Sequence, residues 1–224
     1  MSKLHKKEMR EDKLVTLWYE GLAVVDKFRK QFIIGAIAFV VVVASVVGYT
    51  FYNKSQNEKA AALLSKVTPV YDSGAYLDAI EGRPNQQIIG LKKLVADFGG
   101  TNEGETAKIL LANSYYFLGK IDEALKAYED YSGDVDLLQA ASYAGAAGCY
   151  EAKNELEKAA ELYIKAAGVS KNVPQNPQYL LFAGINYVEL NQKDKAKELF
   201  NQIKTEYSKS MVVRDLDRYM AMVE

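Results

Sequence analysis

The sequence predicts an all-α protein: one membrane-spanning helix followed by a solenoid of stacked helical hairpins. Three observations predict it. Residues 32–52 form a run of 21 residues without a charge. Residues 105–209 repeat one pattern of small and aromatic residues three times, at spacings of 35 and 37 residues. Only four of the 224 residues are Pro, and Ala, Leu, Lys and Glu, all good helix formers, are abundant.

The uncharged run, FIIGAIAFVVVVASVVGYTFY, spans about 30 Å as a helix, the thickness of a bilayer core. A buried soluble helix is the competing reading, but soluble helices rarely run so far without a polar face. A cleaved signal peptide fits less well. The leading segment is 31 residues long, and the apolar run exceeds the usual h-region. The only cysteine, Cys149, is too distant to carry a lipid. A retained signal anchor is the expectation, with Tyr49 and Tyr52 at one interface and membrane lipid as a partner. Residues 1–31 carry eight Lys/Arg against five Asp/Glu, and residues 53–224 carry twenty against twenty-four. The positive-inside rule then places the N-terminus in the cytoplasm and the rest outside it, in the periplasm of a Gram-negative cell.

Before the span, Leu14, Trp18, Val25, Phe28 and Phe32 recur at helical steps, with Lys13, Glu20, Lys27 and Lys30 mostly elsewhere on the wheel. The segment 1–31 reads as an amphipathic helix at the cytoplasmic membrane face, with Trp18 and Tyr19 at headgroup depth. Two other readings stay open: its stripe docks on a membrane partner, or it only sets topology and anchors the span.

The repeat is carried by Ala112, Tyr115, Ala124 and Tyr128, then Ala147, Tyr150, Ala159 and Tyr163, then Gly184, Tyr187, Ala196 and Phe200. This spacing predicts a helical hairpin. The small residue and the Tyr lie on helix A, and the Ala and the second aromatic lie on helix B. Gly119 and Asn191 help the turn between them, and Asp122 and Asp194 are expected to cap helix B. Small residues let helices approach, and aromatics fill the holes between hairpins. Residues 53–104 read as a membrane-proximal helix and one divergent repeat, with a break at Gly82, Arg83 and Pro84 and a helix from QQIIG to Gly99–Gly100. Residues 210–224 read as a capping helix with Val212, Leu216, Tyr219 and Met220 inward.

These residues resemble tetratricopeptide repeats, whose period is about 34 residues. Two family features are absent. Lys108, Tyr143 and Leu180 stand where a helix-A Trp is usual, and the Pro after helix B is missing. The whole layout, with KKEMREDKLVT, one span, FGGTNEGETAKILLANSYYFLG and a terminal Tyr–Met pair, resembles the single-pass repeat proteins grouped with the ancillary subunit of the SecYEG translocon, in its Bacteroidetes-type form. That resemblance implies an inner-membrane protein whose periplasmic repeats contact secreted chains or periplasmic chaperones near the translocon.

Chemistry is scarce in the sequence. The only His, at position 5, lies in a polar tail, so a His-based triad or metal cage is not expected. One Cys excludes a disulfide framework and a multi-cysteine zinc site. Cys149 has no cationic neighbour in sequence to activate it and reads as a packing residue. Glu129–Asp130 and Asp134–Asp136 read as solvated surface. The Gly run at 99–104 lacks a phosphate-binding motif. A formal net charge of −1 argues against nucleic-acid binding. No enzyme activity, cofactor or metal is expected.

The register instead predicts a protein-binding groove along the A helices. It would be lined by Ile109, Asn113 and Tyr116, then Ala144, Gly148 and Glu151, then Leu181, Ile185 and Val188. This mixed, rather apolar surface suits an extended or helical peptide. A carboxylate clamp is disfavoured: of the positions such clamps use, only Asn113 fits, with Gly148 and Ile185 at the equivalents. The expected role is a membrane-anchored scaffold for clients near the translocon. The alternative is a structural adaptor of a division or outer-membrane complex with one folded partner.

Overall fold

A computed structural model describes residues 15–22 and 27–223. Leu14, Val25 and Lys13 of the expected N-terminal stripe and polar face lie outside these residues, as do the basic cluster at 3–13 and His5. The chain divides into two compact units, Met1–Lys54 and Ser55–Glu224.

In the first unit, α1 (15–22) exposes Trp18 and Tyr19. Helix α2 (Arg29–Asp72) contains the uncharged run. It is long and apolar enough to cross a membrane, and every residue from 32 to 52 is exposed.

The second unit is a row of hairpins, each helix packed chiefly on the one before and the one after. The last turns of α2 share a core with α3 (Tyr76–Glu81), α4 (Leu91–Phe98) and α5 (Asn102–Phe117) through Leu64, Val67, Ile80, Leu91, Leu94 and Leu111. Three hairpins follow the family spacing: α5 with α6 (Ile121–Glu129), α7 (Asp136–Ala152) with α8 (Leu156–Ala167), and α9 (Asn176–Glu189) with α10 (Lys193–Glu206). Helix α11 (Val213–Met220) closes the end by burying Leu216 beside the third hairpin.

The repeated residues are the joints of this stack. Ala112, Ala124, Ala147, Ala159, Ala196 and Phe200 are completely buried, and Tyr128, Tyr163 and Tyr187 nearly so. Gly184 makes room for Phe200: a methyl group placed on it would lie 2.2 Å from the ring. Gly145 does the same for Tyr128.

All three hairpin turns are built alike. Gly119, Asn154 and Asn191 have φ of 72°, 60° and 57°. The amide after each donates to the carbonyl of the repeat Tyr: Lys120 to Tyr115, Glu155 to Tyr150, Gln192 to Tyr187. This is the Schellman closure, which satisfies the last carbonyls of helix A. Asp122 and Asp194 do not cap helix B as expected. The N-cap positions are Lys120 and Gln192, without side-chain caps, and the two carboxylates sit within the first turn. There they favour the helix through its dipole.

The divergent segment also differs from expectation. The expected helix does not run through residues 86–90: Gln86 closes a short 3-10 turn, and residues 87–90 are not helical. Gly82 pairs with Ile89 and Arg83 with Ile88 in a two-stranded hairpin of β1 (Gly82–Arg83) and β2 (Ile88–Ile89), and the helix begins only at Leu91. Pro84 opens a tight turn that ends on Gln87 at φ 53°. Among the described residues these short strands are the only departure from an all-helical chain.

Candidate protein-binding surface

The A helices α5, α7 and α9, with the end of α2, touch one another through a chain of side chains. Asn113 of α5 donates through Nδ2 to Tyr71 Oη of α2 at 3.1 Å and accepts through Oδ1 from Tyr128 Oη of its own hairpin. Its amide is therefore already engaged on both sides. Tyr116, one turn later, lies over Gly148 of α7: a methyl group on that glycine would be 3.5 Å from the phenol oxygen. Glu151, at the end of α7, accepts from Tyr163 Oη at 3.0 Å and from Asn186 Nδ2 of α9 at 2.6 Å. Asn186 also donates to the carbonyl of Phe182 at 3.0 Å.

The nine residues predicted for this face differ in accessibility. Asn113, Tyr116, Ala144, Glu151, Ile185 and Val188 are half-buried. Ile109, Gly148 and Leu181 are buried, Ile109 in the core with Tyr128 and Cys149, Leu181 in the core of the second and third hairpins. Tyr116, Gly148, Glu151 and Asn186 form one connected stretch, whereas Asn113 joins the first hairpin to α2.

Aromatic residues outside the predicted set extend the surface. Tyr71 meets Tyr76 edge-on at 5.7 Å, Tyr76 stacks on Phe117 at 4.8 Å, and Phe117 meets Tyr116 at 6.1 Å. Further along, Tyr163 and Phe182 lie 5.3 Å apart. Phe117 is 58% exposed and Phe182 37%. The repeat alignment hides these residues because Phe117 and Phe182 occupy positions with no typed equivalent in the other repeats. An apolar residue on the solvent side of a helix is the signal that could have found them.

Burial pushes the Tyr116 and Tyr163 phenols above their ordinary range, and the negative charge of Glu151 pushes both further. Cys149 is fully buried, and burial raises its thiol to about 11, with Glu129 adding to the rise. It is a neutral packing group rather than a thiolate nucleophile. Among the described residues no three His, Cys, Asp or Glu side chains gather where they could hold a metal ion.

The tetratricopeptide repeat family matches residues 180–210, which hold most of the third hairpin. The fold resembles a Podosopora anserina kinesin light chain with nearly identical TPR-like repeats, at 16% identity, a TM-score of 0.55, and coverage of 75% of this chain and 86% of that one. A point variant of that protein aligns at 18% identity with a TM-score of 0.54, over 75% and 85% of the two chains. No curated protein matches the chain. These likenesses, with the repeated turns and joints above, make this a TPR-like helical repeat protein. Such repeats are protein–protein interaction scaffolds.

Proposed function

We propose that the protein is a single-pass inner-membrane scaffold whose repeats bind protein segments on the periplasmic side, near the Sec translocon. The observation that carries this reading is the run of partly exposed aromatic and aliphatic side chains from Tyr71 and Tyr76 through Tyr116 and Phe117 to Phe182, Ile185 and Val188. An apolar surface rimmed by polar residues marks a protein-binding site. In this reading Asn113, Tyr116, Ala144, Glu151, Ile185 and Val188 meet the ligand, and Ile109, Gly148 and Leu181 shape the floor from beneath.

Residues 32–52 supply the anchor. A helix of this length that exposes apolar side chains all round has no aqueous environment that suits it, and a bilayer does. Anchoring raises the effective concentration of the repeats at the membrane, so modest affinity suffices for secreted chains or periplasmic chaperones. The N-terminus is cytoplasmic, with α1 at that membrane face.

The test is crosslinking of the tagged full chain in native membranes, then purification in mild detergent and mass spectrometry. Recovery of SecYEG subunits or periplasmic folding factors supports the reading. Recovery of division or outer-membrane assembly proteins, with no translocon subunit, replaces it with the adaptor role.

A further inference from the structure

We infer that the A-helix surface binds its protein ligand through a basic side chain, a Lys or Arg seated on the carboxylate of Glu151. The inference rests on the peptide-binding reading above and specifies the chemistry of the segment bound.

Glu151 is half-buried, and both its oxygens are held by neutral donors, Tyr163 and Asn186. Among the described residues no Lys or Arg pairs with it. The lysines nearest in sequence are committed elsewhere: Lys153 to Asp122 at 2.9 Å and Lys158 to Glu155. Lys165 lies over the ring of Tyr143. The contrast with Glu105 is direct. That buried carboxylate has its own cation, Lys108, at 2.8 Å. Glu151 is held in place by its two donors, and no cation among the described residues completes it.

Its surroundings suit a charged guest. Phe182, partly exposed, lies against the buried Tyr163 whose hydroxyl donates to Glu151, and Tyr116 lies over Gly148, one turn before Glu151 on α7. Aromatic faces attract a cation, and the apolar surroundings strengthen its attraction to the carboxylate. The wider field has the same sign. Residues 101–170, the first two typed repeats, hold six Lys/Arg against twelve Asp/Glu, so these two repeats as a whole attract a basic segment and repel an acidic one.

The experiment uses the full chain in neutral detergent micelles and three fluorescent peptides. They are acetyl-Gly-Leu-Phe-Lys-Leu-Tyr-Gly-amide and the same peptide with Gln or Glu in place of Lys. Affinities are read by anisotropy for the parent chain and for Glu151→Gln, whose Oε1 still accepts from Asn186 while its Nε2 donates to the Tyr163 hydroxyl, reversing that bond. The expected result is a preference of about tenfold for the Lys peptide over the Gln peptide, a larger one over Glu, and collapse of both in Glu151→Gln with helix content unchanged. Equal binding of all three peptides, or a Lys preference that survives Glu151→Gln, overturns the inference and leaves the peptide-binding reading standing. No binding of any peptide overturns both. If peptide binding instead falls as protein concentration rises, and Glu151→Gln relieves the fall, the occupant is a second copy of the chain and the inference is again overturned.

Discussion

Asn186 Nδ2 lies 2.6 Å from Glu151 Oε1, a hydrogen bond that joins the second repeat to the third across 35 residues of sequence. Asn186 is 2% exposed, so the bond is made where water cannot replace it. A hydrogen bond to a charged group contributes about 1.5–3 kcal/mol, and leaving a buried partner unsatisfied costs about as much. Asn186→Ala is therefore expected to lose about 2 kcal/mol. Urea unfolding followed by circular dichroism checks it. In a stack where each repeat leans on its neighbour, the transition should also broaden as the third hairpin uncouples.

Two glycines on A helices separate packing from propensity. Gly184→Ala drives a methyl group into the Phe200 ring, 2.2 Å from its nearest carbon. Overpacking of this kind costs about 1–3 kcal/mol, against about 1 kcal/mol that Ala contributes in a helix. Gly148→Ala meets only the Tyr116 phenol at an ordinary 3.5 Å, so the helical preference for Ala prevails. Thermal unfolding of the two variants should move in opposite directions.

Lys108 occupies a buried site in helix α5. Its ammonium is 2.8 Å from Glu105 Oε1 and 2.9 Å from the carbonyl of Asp130, and Glu105 also accepts from the Ser132 amide at 2.8 Å. The network ties the loop after α6 back to α5. Lys108→Ala leaves a carboxylate buried without its cation, which costs about 3–5 kcal/mol. The double variant Lys108→Met with Glu105→Gln removes the unpaired charge and should recover a large part of that loss in chemical denaturation.

Alkaline pH should destabilise the fold. Burial raises the Cys149 thiol from 9.0 to about 11 and lifts the Tyr128, Tyr163, Tyr179 and Tyr187 phenols above 10.0. The folded chain holds these protons more tightly than the unfolded one, so stability is complete below pH 9 and falls as the pH rises toward and through the folded values. Melting temperature against pH is expected to be flat near neutrality and to drop above about 9. Cys149→Ala should shift the onset toward 10, where the phenols take over. At neutral pH the thiol should resist Ellman's reagent until the chain is unfolded.

The sequence revealed the stack through residues that must be small or aromatic whatever the partner. Ala112, Ala147 and Gly184 repeat because helices cannot approach over a larger side chain, and Tyr128, Tyr163 and Phe200 repeat because the resulting holes recur. The turns were legible at Gly119 and Asn191. Asn154 does the same work at φ 60° but lies in a run of charged residues that masks it. The hairpin of residues 82–89 was not legible, because Gln86–Ile89 is equally compatible with a helix and the tight turn through Pro84 and Gln87 decides otherwise. On the candidate surface, helical register alone selected the half-buried Tyr116, Glu151, Ile185 and Val188. It also selected Ile109 and Leu181, which are buried, because register gives the face of a helix but not how closely the next helix covers it. The partners of Glu151 were invisible for the same reason: Tyr163 and Asn186 come from two other helices.

In the proposed function the A-helix face, rather than the B-helix face, meets the partner. The direct measurement is site-specific photocrosslinking in native membranes, with a photoreactive amino acid at Tyr116 or Val188 on the A helices and at Glu123 or Glu198 on the exposed side of the B helices. Protein adducts are expected from the first pair and none from the second. Adducts confined to Glu123 and Glu198 would contradict it and place the interaction on the opposite side of the repeats.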